Sequence, residues 1–193
     1  MHPVCPTILQ EWQRLWQRPK AVAVRFSMAH PVPTLYEWLG GGEVLSALIA
    51  RFYQKVPADP ILEPLFRDMD PAHFEHVAIF IAEVLGGPAE YSAKHGGHAA
   101  MIRHHVGKGI TEEQRQHWVR LLLETADEMN LPSDPEFRSA LVAYLEWGSR
   151  LAVINSTLAP GTAIGEAPMP AWNWGVPGGP YQPESKTPDP TRS

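Results

Sequence analysis

Four of the nine histidines crowd into one short stretch. His95, His98, His104 and His105 fall within residues 89–109, together with Gly96, Gly97, Gly107 and Gly109. A neutral imidazole is a good ligand for iron or zinc. Structural zinc asks for four ligands, often including cysteine, at set spacings such as two histidines four apart. Here His95 and His98 are three apart, and the single cysteine, Cys5, is remote in sequence. No conveniently placed carboxylate joins them. A haem asks for less: one proximal histidine and a flat space between apolar helix faces. By spacing alone, haem, zinc and solvated surface histidines all stand as readings of this stretch.

Whatever the histidines hold, helices must position it. Leu45, Leu48, Ile49, Phe52, Tyr53 and Val56 recur at i, i+3, i+4, i+7, i+8 and i+11, one apolar face of a helix. Pro57 and Pro60 end it. Asp70-Pro71 offers an N-cap with proline at the first helical position. Phe74, Val77, Ala78, Ile81, Val84 and Leu85 then share a face until Gly86-Gly87-Pro88 stops the helix. Thr111 with Gln114 forms a capping box ahead of Trp118, Leu121, Leu122 and Thr125. Asp134-Pro135 opens a last helix carrying Leu141, Tyr144, Leu145, Gly148, Leu151 and Ala152. No segment alternates apolar with polar, so an all-α fold is expected. Residues 89–109 read as a loop of about twenty residues with little helical drive, a feature uncommon in compact domains and usually functional.

Composition bounds the rest. The chain has 193 residues, 44% apolar and 19% charged, enough for one domain with a real core. A net charge of −5 lacks the basic footprint of a nucleic-acid binder. No apolar run reaches membrane-spanning length. Residues 21–24, the longest apolar stretch near the start, are too few for a signal-peptide core, which points to the cytoplasm. Of the 20 prolines, five lie in residues 1–33 and eight in residues 160–193. The expected organisation is an irregular N-terminal extension over residues 1–33, a helical domain over 34–158 and a Pro/Gly-rich irregular tail over 159–193. Residues 8–16 could form a short helix, and Met28 is a candidate natural start. The tail's proline and glycine content argues against a packed core there. Trp172 and Trp174 depart from that composition and are expected to dock weakly on the domain or on a partner.

Several segments, taken together, resemble the group II truncated haemoglobins, the 2-on-2 globins. They are Leu35-Tyr36-Glu37-Trp38 with Gly40-Gly41-Gly42, Arg51-Phe52-Tyr53, Pro64-Leu65-Phe66, Leu85-Gly86-Gly87-Pro88 with Tyr91-Ser92, His104-His105-Val106-Gly107 and Gln116-His117-Trp118. They occur in the family's order, over roughly residues 34 to 157. The resemblance implies a two-over-two helical sandwich around haem b, with a long segment leading to the proximal histidine. It places the iron ligand at His105, thirteen residues before Trp118. The distal pocket falls to Tyr53, His73, Val77 and Trp118. Phe66, Phe52, Phe80, Tyr91, Met101, Arg103 and His104 are expected against the haem. His104 competes with His105, but neighbours on a helix point about 100° apart, so only one can face the iron. The other ring nitrogen of His105 is expected to donate to a backbone carbonyl. Histidine at position 73, where many members have a small residue, departs from the family pattern, and so does phenylalanine at 66. His76, His95, His98 and His117 carry no implied role and read as surface or loop histidines.

The function implied is binding of O2, NO, CO or peroxide, with distal hydrogen bonds slowing release. That suits oxygen, nitric oxide or peroxide redox chemistry, peroxidase-like or NO-dioxygenase-like, better than bulk transport. It implies an unidentified reductase as partner, with no nucleic acid or membrane. The alternative is a haem-based sensor or partner-binding module whose output is the Trp172/Trp174 tail.

Overall fold

The structure, a computed structural model, describes residues 31–180. The expectations for residues 1–30, including the start at Met28, and for residues 181–193 lie outside them. Among the described residues there are helices and no strands. Helix α1 (Leu35–Trp38) is capped by Thr34 and Glu37 in a reciprocal capping box, with Glu37 N donating to Thr34 Oγ1 over 3.1 Å. Helix α2 (Gly41–Lys55) buries Leu45, Leu48, Ile49, Phe52 and Tyr53, the face read from the sequence. A 3-10 turn (Val56–Ala58) containing Pro57 ends it. Helix α3 (Glu63–Phe66) is a single turn. Helix α4 (His73–Val84) buries Ala78, Phe80, Ile81, Ala82 and Val84. Helices α5 (Glu90–His95) and α6 (Gly97–His105) are short. Helix α7 (Glu112–Glu128) starts at the Thr111/Gln114 capping box and α8 (Pro135–Ser156) at Asp134, whose carboxylate accepts from Phe137 N over 2.9 Å.

Helix α2 packs on α4 and α7 on α8, two pairs of helices joined by contacts between α2 and α7. Helix α6 lies against α8. The close approach of α1 to the end of α4 requires a glycine. Tyr36 N donates to Leu85 O over 3.0 Å, and a Cβ on Gly87 would sit 2.8 Å from both Ala82 O and the Tyr36 ring.

Three expectations are corrected. Residues 89–109 are not a loop: α5 and α6 fill most of the stretch, and Gly96 and Gly97, at positive φ, separate them. Helices of six and nine residues have little stability of their own, so their sequences show little helical drive, and packing supplies what propensity does not. Asp70-Pro71 does not start α4 directly. Asp70 Oδ1 accepts from Ala72 N over 2.8 Å and its carbonyl accepts from His73 N over 2.9 Å, so the pair closes a turn and the helix begins at His73. The chain beyond α8 is irregular as expected, yet it contributes to the core. Trp174 is only 6% exposed, packs edge-on against Trp38 with centroids 5.8 Å apart, and donates from its indole to Pro33 O over 2.7 Å. Trp172 donates from its amide to Val84 O over 2.8 Å and from its indole to Ala140 O over 3.0 Å. Indole burial and satisfied N–H groups hold a segment that has no hydrogen-bonded period of its own.

Candidate functional site

Between the two helix pairs lies a cavity of about 250 Å³. Its walls are mostly apolar and aromatic: Phe66 from α3, Val77, Phe80 and Ile81 from α4, Met101 and Ile102 from α6, Trp118 from α7, Tyr144 and Leu145 from α8. Such a space, with a few polar groups converging on it, is the usual form of a small-molecule or cofactor site.

The polar groups sit at two sides. Helix α2 brings Tyr53 and helix α4 brings His73, and the Tyr53 hydroxyl and His73 Nε2 lie 3.1 Å apart in hydrogen-bond contact. Tyr53 stacks on Phe74 with centroids 4.3 Å apart and meets Phe66 and Phe52 edge-on. That apolar nest pushes its hydroxyl well above the ordinary tyrosine range, the Trp118 indole offsetting part of the shift. Burial, followed by the neighbouring His105 and His104, lowers His73 to about 4. Both groups are therefore neutral at physiological pH, the phenol protonated and the imidazole uncharged. Trp118 lines the same cavity and is packed edge-on against Phe52, with centroids 5.5 Å apart.

On the side of α6, His105 Nδ1 bonds Met101 O over 2.8 Å. With Nδ1–H committed to that carbonyl, Nε2 carries the lone pair, the tautomer a metal ligand needs. Burial lowers the His105 pKa, the Met101 carbonyl opposing it, which keeps the ring neutral near pH 7. The adjacent His104 also borders the cavity but is exposed. Among the described residues no three His, Cys, Asp or Glu side chains gather to hold a bare metal ion. One imidazole with a fixed tautomer, facing an apolar slot between helices, fits a haem.

The structure brings together Tyr53, Phe66, His73, Val77, Phe80, Tyr91, Met101, His104, His105 and Trp118 around one cavity. Phe52 and Arg103 are not among its walls. Phe52 is fully buried behind Tyr53 and Trp118, because consecutive helical residues point about 100° apart and Tyr53 takes the cavity side. Arg103 is exposed. Two histidines read as surface residues prove to line the cavity, His76 and His98. For His98 a signal was present: it precedes His105 by seven residues, two turns along one face. His95 packs on His76 with ring centroids 4.2 Å apart, and His117 Nδ1 pairs with Asp59 over 3.1 Å. Sequence reasoning also missed Arg115, a cavity residue whose side chain is 3% exposed. Its guanidinium donates to Glu112, to Glu146 Oε1 over 3.0 Å and to Ser149 Oγ over 3.1 Å.

No helix among the described residues is long and apolar enough to cross a membrane.

Comparison with known proteins agrees with the all-helical fold. Residues 34–147, more than half of the chain, match the family described as Bacterial-like globin. The chain is 31% identical to the group 2 truncated haemoglobin YjbI of Bacillus subtilis (strain 168), over 62% of this chain and 87% of that protein. The crystal structure of a thermostable haemoglobin from Thermobifida fusca superposes with a TM-score of 0.55 at 31% identity, covering 63% of this chain and 97% of that one. That of the truncated oxygen-avid haemoglobin from Bacillus subtilis gives 0.56 at 30% identity, covering 63% and 99%. The chain belongs to the bacterial-like globin family, as a truncated haemoglobin that carries haem b and binds small gaseous ligands such as O2.

Proposed function

We propose that this haemoglobin holds O2 tightly and uses it, or NO or peroxide, in redox turnover rather than in bulk transport, with His105 as the proximal ligand and Tyr53, Trp118 and His73 as the distal hydrogen-bonding set. Haem, when bound, supplies the iron at which the small ligand is held and exchanges electrons. The protein supplies the surroundings. The observation that carries the reading is the convergence of Tyr53, His73 and Trp118 on one apolar cavity that is also lined by His105, an imidazole whose tautomer suits ligation.

Each distal donor acts on a ligand that carries partial negative charge. In a dry pocket one such bond contributes about 1–1.5 kcal/mol, roughly a tenfold slowing of release. Tyr53 and Trp118 sit in aromatic packing that restricts their rotamers, so little entropy is lost when they engage. The Tyr53–His73 contact gives the hydroxyl a second partner, and an O–H and an imidazole in contact can pass a proton toward a reduced ligand. The oxygen-avid relative from Bacillus subtilis supports slow release.

The test is a set of optical spectra in the ferric, ferrous and CO-bound forms, followed by stopped-flow O2 release and turnover assays with NO and with peroxide. Slow O2 release together with NO or peroxide consumption supports the proposal. Fast release with neither turnover rejects it.

A further inference from the structure

Helix α6 carries His105 yet is weakly held by the chain on either side of it. Gly96 and Gly97 precede or begin it at φ 80° and 65°, and Gly107 and Gly109 follow it at φ 76° and 61°. Nine helical residues between two such joints could roll or slide, and the direction of His105 would move with them. The chain after α8 touches both ends of this helix. At the C-terminal end Pro160 lies against Gly107, where an added Cβ would come within 3.1 Å of its Cγ. At the N-terminal end His98 Nδ1 bonds Pro168 O over 3.0 Å. Residues 160–168 therefore run alongside α6 from its end back to its start. The far end of this segment is fastened to the globin core through both N–H groups of Trp172, and Trp172 also packs on the cavity residue Trp147 with centroids 5.5 Å apart. All of it lies beyond residues 34–147, the part shared with the family.

We propose that residues 160–172 are a built-in clamp on the haem-bearing helix, and that His98 is the positioning residue through which the clamp sets the aim of His105 and the retention of haem. His98 and His105 lie seven residues apart, on one face of α6, and each is fixed through Nδ1 by a backbone carbonyl. The first bond fixes the roll of the helix, the second the plane of the ligating ring. The inference rests on His105 as the iron ligand and is independent of the distal hydrogen bonds.

The experiment compares wild type with His98→Ala, His98→Asn and Trp172→Phe in the full-length haem-loaded protein. Asp59→Ala serves as a control, since it removes a carboxylate whose partners, Ile61 N, Leu62 N and His117, lie outside both α6 and residues 160–174. The measurements are the rate of haem transfer to excess apomyoglobin and the iron–histidine stretching band of the ferrous protein. Loss of one hydrogen bond should speed haem release about tenfold in His98→Ala and Trp172→Phe and should shift or broaden the band. His98→Asn, whose amide can still donate to Pro168 O, should restore both. Asp59→Ala should lower the melting temperature with wild-type haem release and an unaltered band. The proposal is overturned if His98→Ala matches wild type in both measurements, or if Asp59→Ala reproduces its effects. If none of the variants shows an iron–histidine band in wild-type position because wild type has none, the ligand assignment itself fails, which is a separate result.

Discussion

The Tyr53 hydroxyl and His73 Nε2, 3.1 Å apart, satisfy each other inside the cavity proposed for the haem. Two polar groups from different helices, both neutral at physiological pH, are thus kept in place without a charge being buried. Any ligand entering that space competes with, or adds to, a bond already made.

Replacing Tyr53 or Trp118 with phenylalanine should each raise the O2 release rate by about tenfold, the equivalent of one hydrogen bond of roughly 1.4 kcal/mol. His73→Leu should change it less, because Tyr53 keeps its aromatic nest and its hydroxyl. CO, less negative when held, should respond weakly to all three. Stopped-flow release of both gases decides this, and a His73 effect exceeding that of Trp118 would reverse the ranking of the donors.

His105→Ala should lose most of its haem and melt at a lower temperature, because binding to the native state stabilises that state. His104→Ala should keep its haem, since that ring is exposed while the His105 ring is the one whose tautomer a carbonyl fixes. The ratio of Soret to protein absorbance after purification reads both. Exchanged outcomes would move the ligand by one residue.

Arg115 ties Glu112 and Glu146 to the inner side of α7 and α8. Its guanidinium lowers both carboxyls, Glu112 to about 2. Their folded pKa values lie below the unfolded ones, so their stabilisation is complete above the ordinary carboxylate range near pH 4.3 and is lost as pH falls toward 2. Between pH 5 and 2.5 the wild type should therefore lose more melting temperature than Arg115→Met. Equal slopes in thermal melts followed by circular dichroism would show that the network contributes nothing.

Trp174→Ala should cost about 3 kcal/mol, as truncation of a buried aromatic does. For a protein of this size that lowers the melting temperature by roughly 6–12 °C. A melting temperature within a degree or two of wild type would mean that the docked indole is dispensable.

The long helices were legible because burial writes itself into sequence at a 3.6-residue period: the face of α2 reads correctly, and that of α4 does so at Ala78, Ile81 and Val84 while omitting the buried Phe80 and Ala82. Caps made of Thr111/Gln114 and Asp134 were legible for a different reason, since each uses a side chain that can satisfy a specific amide. Helices α5 and α6 were not, because a glycine pair interrupts them and one or two turns cannot establish a period. Phe52 lies behind the cavity wall because its neighbour Tyr53 takes that side, and a Phe-Tyr pair in sequence does not say which member faces inward. The docking of Trp172 and Trp174 left no trace a period could reveal, since its hydrogen bonds go to carbonyls scattered across the domain.

His98 belongs at once to the cavity wall and to the contact that seats Pro168. Thermodynamic linkage then runs in both directions: whatever affinity the seated C-terminal segment adds for haem, haem returns as protection of that segment. Amide exchange or proteolytic cutting near residues 161–168 thereby becomes a gauge of cofactor loading, readable at a place that never touches the iron.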